Sequence, residues 1–209
     1  MGVGADIKEA LQEVGVAYTI ERTSGENVTG EYGLLEFSAQ VTKPLTIEHF
    51  RRGMTPYDTE LSAGDVVSFD VISETFLATN MLPELFENEV AHYDTVFYKC
   101  NITSGELMRP SGETWDDPAN LYHKETEWET VQAGCKAMQV AALYGNDMET
   151  DEEVALIGLK KDEVLIPHSL GAQVMDRWQP TSGEYYQVNV IETRRYPNID
   201  VLIVEEDQR

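Results

Sequence analysis

Basic residues are scarce in this chain. Lys and Arg number 15 against 38 Asp and Glu, a formal net charge of -23 at pH 7. A surface that reads DNA gathers Lys and Arg against phosphates, so this balance argues against sequence-specific nucleic-acid binding. It suits a very soluble protein, a basic partner, or a surface that nucleic acid must pass without sticking. Cysteine is nearly absent: Cys100 and Cys135 stand far apart, with no C-x-x-C pair. A zinc ribbon or thioredoxin-type site is excluded on that spacing. Reduced, buried thiols are expected, and a single disulfide between the two stays open. No apolar run approaches the length of roughly 20 residues that a membrane-spanning helix needs. The N-terminus lacks a basic region followed by an apolar stretch, so no signal peptide is expected. The expectation is a protein made and used in the cytosol, or in something assembled there.

Motifs that carry chemistry are equally thin. The histidines are His49, His92, His123 and His168, and none has the close spacing of a metal pair. His92 and Asp94 share one side of a predicted strand, which would orient an imidazole for general-base work. There is no G-x-S-x-G around any serine. The acidic run Asp147, Glu149, Asp151, Glu152, Glu153 resembles a calcium loop only in its spaced carboxylates. An EF-hand needs glycine sixth and glutamate twelfth. Counting from Asp147, Glu152 and Gly158 stand there; counting from Asp151, Leu156 and Asp162 do. Gly2 and Gly4 are too near the terminus to cradle a phosphate. Trp115, Trp128 and Trp178 are scattered, as carbohydrate platforms or as core and interface residues. No catalytic, cofactor or metal site is expected.

What the chain does have is alternation. Hydrophobic residues make up 42% of 209 residues, enough for one large domain or two small ones. Ile7, Ala10, Leu11 and Val14 recur at helical spacing, predicting a short N-terminal helix over residues 6–14 with Asp6 as its cap. Residues 17–22, 34–41, 66–72, 75–79, 91–101 and 164–167 read as strands. Bulky groups on both faces of 91–101 predict burial on both sides. Residues 46–52 read as a helical turn or two, 82–90 as a polar loop with two apolar anchors, and 134–144 as either helix or extended chain. Many short strands with turns between them predict a mainly β protein, a small β-barrel or sandwich core with long loops. Its divisions would be residues 1–60, a helix and β-rich segment, and residues 61–209, the core, with a long loop excursion at about 103–150. A weak echo runs from Gly64-Asp65 and Ser73 to Ala78 into Met175-Asp176 and Gly183 to Val188. It reads either as two similar hairpins of a duplicated unit or as chance.

The C-terminal stretch is the most regular. Tyr186, Val188 and Val190 alternate with Gln187, Asn189 and Ile191; Pro197-Asn198 supplies a turn; Val201 and Ile203 form a last strand ending in an acidic tail. A three-stranded antiparallel meander is predicted, with Tyr186, Val188, Val201 and Ile203 facing a shared core.

This stretch resembles the end of the head–tail joining proteins of tailed bacteriophages, the stopper or head-closure class. That class ends in Gly-x-x-Tyr-x-Val, a variable turn, an apolar strand and a short charged tail. Gly183, Tyr186 and Val188 match the first strand. Arg194, Arg195 and Pro197 lie in the turn, and Asp200, Val201, Leu202 and the closing Glu-Asp-Gln-Arg complete it; Ile166-Pro167 and Asp176-Arg177 look like the preceding strand and loop. The resemblance covers about 45 residues. It implies a virion protein of the neck, assembled in the host cytoplasm as a homo-oligomeric ring of 6 or 12 copies. Such a ring sits between portal or adaptor and tail proteins, without a cofactor or membrane contact. Genomic DNA passes through its lumen with no sequence-specific binding, and the acidic run Asp147 to Glu153 is expected on the lumen or ring face. The alternatives are another neck or tail ring component (adaptor or tail terminator), a ligand- or carbohydrate-binding β-domain, and a hydrolase built on His92 and Asp94.

Overall fold

In the computed structural model, α1 (Val3–Val14) opens the chain. Its placement is described for residues 2–23, 25–36, 49–115, 124–141 and 161–207. Helix α1 starts on Gly2 rather than Asp6, which lies in the first turn, where a carboxylate favours the positive end of the helix dipole. It buries Leu11 and ends where the Gly15 N–H returns to the Leu11 carbonyl.

Six strands follow: β1 (Val16–Glu21), β2 (Val28–Glu36), β3 (Phe50–Pro56), β4 (Val66–Phe69), β5 (Thr75–Phe86) and β6 (Glu89–Lys99). They close into an antiparallel barrel in the order β1-β2-β3-β6-β5-β4. Six more follow: β7 (Ile102–Trp115), β8 (Lys124–Ala141), β9 (Lys161–Pro167), β10 (Arg177–Gln179), β11 (Tyr186–Tyr196) and β12 (Ile199–Glu206), with a 3-10 turn at His168–Leu170. They close into a second barrel whose order, read from its own first strand, is β7-β8-β9-β12-β11-β10. The two orders are the same, strand for strand. Closure leaves neither sheet an open long edge around its waist.

The repeat extends to single residues. Strands β3 and β9 both end on a proline, Pro56 and Pro167, and an aspartate follows each at the same spacing, Asp65 and Asp176. The Asp65 carbonyl accepts from the Ala78 N–H (2.9 Å), as the Asp176 carbonyl accepts from Val188 (2.8 Å). The residues just before them, Gly64 and Met175, both adopt left-handed backbone (φ 92° and 76°). The echo seen in the sequence therefore falls on spatially equivalent residues.

Each barrel has its own interior. In the first, Phe69 meets Phe76 and Phe97 edge-on, with centroids at 5.8 and 5.5 Å, and Tyr18, Ile20 and Val67 complete the layer. Leu61, on the link between β3 and β4, enters the same core. In the second, fully buried Trp178 packs with Leu107, Ile166, Val188 and Leu202. Its indole N–H donates to Gln139 Oε1 at 3.0 Å. A Cβ on Gly105 would lie 2.3 Å from the Trp178 ring, so only glycine admits this indole. Burying each large side chain contributes about 1.5–3 kcal/mol. A third apolar cluster lies between the barrels: Val66, Leu77 and Cys100 against Met138, Leu165, Ile199 and Val201.

The mainly β class and the short N-terminal helix hold, and several boundaries move. The long loop excursion expected at about 103–150 is, in its described part, the β7–β8 ribbon. Gly105, Pro110 and Gly112, turn residues in isolation, sit at irregularities of strand pairing, which a long twisted ribbon accommodates as bulges. The expected division at residue 60 falls inside the first barrel, on the β3–β4 link, and the change of sheet comes between Lys99 and Ile102. Within residues 46–52, Phe50 to Arg52 are extended and pair with β6. The 82–90 segment is no loop: it is the far end of the β5–β6 hairpin, turning on Glu87-Asn88.

The C-terminal meander forms as β10-β11-β12, but its four expected core residues do not share one core. Val188 points into the second barrel and Tyr186 packs against that interior. Val201 lies in the cluster between barrels, and Ile203 is only half-buried. The cause is a register shift between Val188 and Val190, together with burial of β12 on both faces. No helix among the described residues is long and apolar enough to cross a membrane.

Candidate functional site

Two arginine–aspartate clasps brace the equivalent turns. Arg109, on β7, donates Nε to Asp176 Oδ1 (2.9 Å) and Nη2 to Oδ2 (2.8 Å), and Nη2 also reaches the Gly171 carbonyl (3.0 Å). Arg22, just past β1, donates Nη1 to both Asp65 oxygens (2.9 and 3.0 Å) and Nη2 to the Glu60 carbonyl (2.9 Å). Each carboxylate also accepts a backbone N–H, from Gln173 or Ser62, at 2.8 Å. The two-nitrogen fork of Arg109 fixes orientation as well as charge, whereas Arg22 holds both Asp65 oxygens through one nitrogen. Burial pushes the Asp65 carboxyl up, against the Ser62 N–H and Arg22. The Asp176 hydrogen bonds hold the Arg109 guanidinium above its usual value. In both clasps the arginine ties the carboxylate and a backbone carbonyl of the same turn together.

The seam between the barrels joins one repeat to the next. Lys136 on β8 pairs with Glu21 on β1, which also accepts from the Ser68 hydroxyl. Thr23 and Ser169 share a hydroxyl contact of 2.8 Å. Tyr98 and Tyr196 meet edge-on, with centroids at 6.0 Å and hydroxyls at 3.4 Å; burial, then Tyr196, pushes the Tyr98 phenol up. At the rim, the Pro197-Asn198 turn of the last hairpin sits on Gly64, where any Cβ would lie 2.3 Å from the Asn198 carbonyl. That contact and the positive φ both require glycine. The C-terminal hairpin thus builds the wall of the second barrel and docks it on the first.

The acidic tail is not free in its described part. The Asp207 N–H bonds the Tyr185 carbonyl (2.8 Å), and Arg177 Nε donates to Asp207 Oδ2 (2.8 Å). The Arg177 guanidinium lies over Trp128, 3.8 Å from the ring centroid, with Tyr185 at 4.8 Å. Trp128 and Trp178 are thereby engaged within the protein; the side chain of Trp115 lies outside the described residues.

The other residues singled out in the sequence do not converge. His92 Nε2 and Asp94 Oδ1 stand 3.8 Å apart, too far for a hydrogen bond, and Arg52 holds the other Asp94 oxygen. His92 Nδ1 is buried with no hydrogen-bond partner among the described residues. His168 bonds Asp200 on β12 (2.9 Å). Both cysteines are free and buried, and burial pushes Cys100 up to about 12 and Cys135 to about 11. The described residues hold no cluster of three metal-ligating side chains. Asp147, Glu149, Asp151, Glu152 and Glu153 lie outside the described residues. Sequence reading missed both clasps. The shared spacing from Pro56 to Asp65 and from Pro167 to Asp176 was the available signal.

No family model matches this chain, and no curated protein matches it. Two solved structures align with it. The K. pneumonia MrkH–c-di-GMP complex shares 6% identity over 98% of this chain and 85% of its own, with a TM-score of 0.18. MrkH described as a c-di-GMP-dependent transcription regulatory factor shares 6% over 99% and 83%, with a TM-score of 0.16. At those TM-scores neither bears on fold or function.

Proposed function

We propose that the chain is a structural protein of the tailed-phage neck, of the head-closure or stopper class. In this reading it assembles as a ring between the portal or adaptor and the tail. One observation carries it: the hairpin with the Gly183-x-x-Tyr186-x-Val188 strand walls a closed six-stranded barrel, and its turn docks that barrel on the one before it. The element that resembles the family is thus an assembly element within this chain. A ring needs such head-to-tail contacts, repeated until they close. The charge of -23 supports a lumen that repels phosphate and lets the genome slide. The acidic run Asp147 to Glu153 is the stretch proposed to face that lumen.

The test is loss of the gene product in the phage that encodes it. The expected result is DNA-filled heads that leak and tails that stay unattached, with label against the chain at the neck of intact particles. Joined, DNA-retaining particles without the chain would rule the reading out. For the acidic run, changing all five carboxylates to Asn and Gln should slow genome release; ejection at the parental rate removes it from the channel.

A further inference from the structure

The repeat inside the chain has two unmatched ends. Within the chain, the hairpin tip of the second barrel covers the Ala63-Gly64 turn of the first, and Gly64 is buried there. The counterpart turn on the second barrel, Val174-Met175, is open, with Val174 53% and Met175 47% exposed. The counterpart hairpin tip on the first barrel is open too: Leu82 is 54%, Leu85 65% and Phe86 50% exposed. Isolated exposed apolar residues are ordinary. Here they sit at the two places that the internal contact joins in its own copy. The turn that is covered has Ala and Gly; the turn left open has Val and Met, which offer apolar area in place of backbone approach.

The two hairpins differ in length. In the second barrel the turn is followed at once by Ile199, which pairs with Pro167. In the first, three residues (Glu89, Val90, Ala91) separate the turn from His92, the partner of Pro56. That extends the hairpin by about 10 Å at about 3.3 Å per residue. The start of helix α1 lies beside this extension, with Gly4 against Tyr57 and Val90 and with Gly2 to Gly4 facing Phe86, Glu87 and Glu89 across a shallow hollow; Lys8 pairs with Asp58 just past β3.

The geometry points to a head-to-tail contact between copies of this chain, in which the β5–β6 tip of one copy docks on the Val174-Met175 turn of the next. The contact is heterologous, so it propagates and closes into a ring when the rotation allows. It deepens the ring reading above and rests on that reading only for closure; the contact itself is read on purified protein.

The experiment uses the full chain with Phe86→Cys or Val174→Cys. The native thiols compete poorly, since both are buried and protonated. Under mild oxidation, a mixture of the two variants should give a cross-linked dimer that neither gives alone, and the double variant should give a ladder or a closed species. Sedimentation should show Phe86→Asp self-associating at least about tenfold more weakly than the parent, while Val71→Asp, exposed elsewhere on the first barrel, should match the parent. Cross-linking of Phe86→Cys to itself as readily as to Val174→Cys would overturn the proposal. So would a mixture without product, a parent monomeric at every concentration, or a folded Phe86→Asp chain that associates normally. A confirmed ladder beside normal head–tail joining without the gene product would leave this contact standing and remove the neck assignment.

Discussion

Arg109 grips Asp176 through two parallel N–H···O bonds of 2.9 and 2.8 Å, and its guanidinium closes the turn by reaching the Gly171 carbonyl. The Asp176 side chain is 1% exposed, against 15% for its counterpart Asp65. Removing the cation from a buried pair leaves an uncompensated charge, at a cost of about 3–5 kcal/mol, and less as the site opens to water. Arg109→Met should therefore destabilise the chain more than Arg22→Met. Urea unfolding of the two variants checks this, and equal or inverted losses would show that the clasps do not brace the turns as their burial implies.

The two positive-φ positions before the aspartates predict opposite responses to substitution. Gly64→Ala places a Cβ 2.3 Å from the Asn198 carbonyl on a backbone at φ 92°, so the docked hairpin must move. The expected loss is about 2 kcal/mol or more. Met175→Gly relieves a left-handed backbone at φ 76°, and its cost in chain entropy offsets most of the gain, leaving a change within about 1 kcal/mol. Thermal melts of both variants measure the contrast.

Half of this architecture was legible before any coordinates. Alternation marked the strands at 66–72, 91–101 and 185–193, although β4 stops at Phe69 and has Val67 in the first barrel and Val66 in the seam, and β6 has Phe97 in the barrel and Tyr98 against the seam cluster. The β7–β8 ribbon was read as loop because Gly105, Pro110 and Gly112 are turn residues in isolation. What keeps them in a strand is tertiary: Trp178 needs the space at Gly105, and Pro110 lies beside a break in pairing. The closing contacts β1–β4 and β7–β10 join residues distant in sequence and leave no local pattern. The seam was hidden for the same reason. Lys136 and Glu21 are two ordinary surface charges until the barrels meet.

The cysteines give a pH prediction. Burial pushes Cys100 up to about 12 and Cys135 to about 11, from an ordinary 9.0. At pH 8 the folded chain should resist alkylation at both thiols, and the unfolded chain should react fully. Above pH 9 the unfolded chain loses thiol protons that the folded chain keeps, so stability that is complete below pH 9 declines as pH rises toward 11 and 12. Replacing both by Ala should flatten that part of the decline. Rapid native alkylation at pH 8 would mean that the thiols are open to solvent.

Val188 and Val201 lie on neighbouring strands, and both are fully buried, yet they serve different boundaries. Val188 faces the interior of the second barrel with Trp178 and Leu202. Val201 faces the seam, with Leu77 and Val66 of the first barrel in the same cluster. An aspartate at either site buries a charge with no partner, a cost of several kcal/mol, about 3 or more. At Val188 that charge has no exit, because the barrel is closed around it; the second barrel should unfold, with loss of the buried Trp178 fluorescence. At Val201 the charge reaches water if the barrels part. Val201→Asp should therefore keep the Trp178 emission of the parent at low denaturant and unfold in two steps, with the first step exposing Tyr98 and Tyr196. A single transition for Val201→Asp that carries Trp178 with it would show that the barrels fold only as one unit, and the seam would then belong to the core of both.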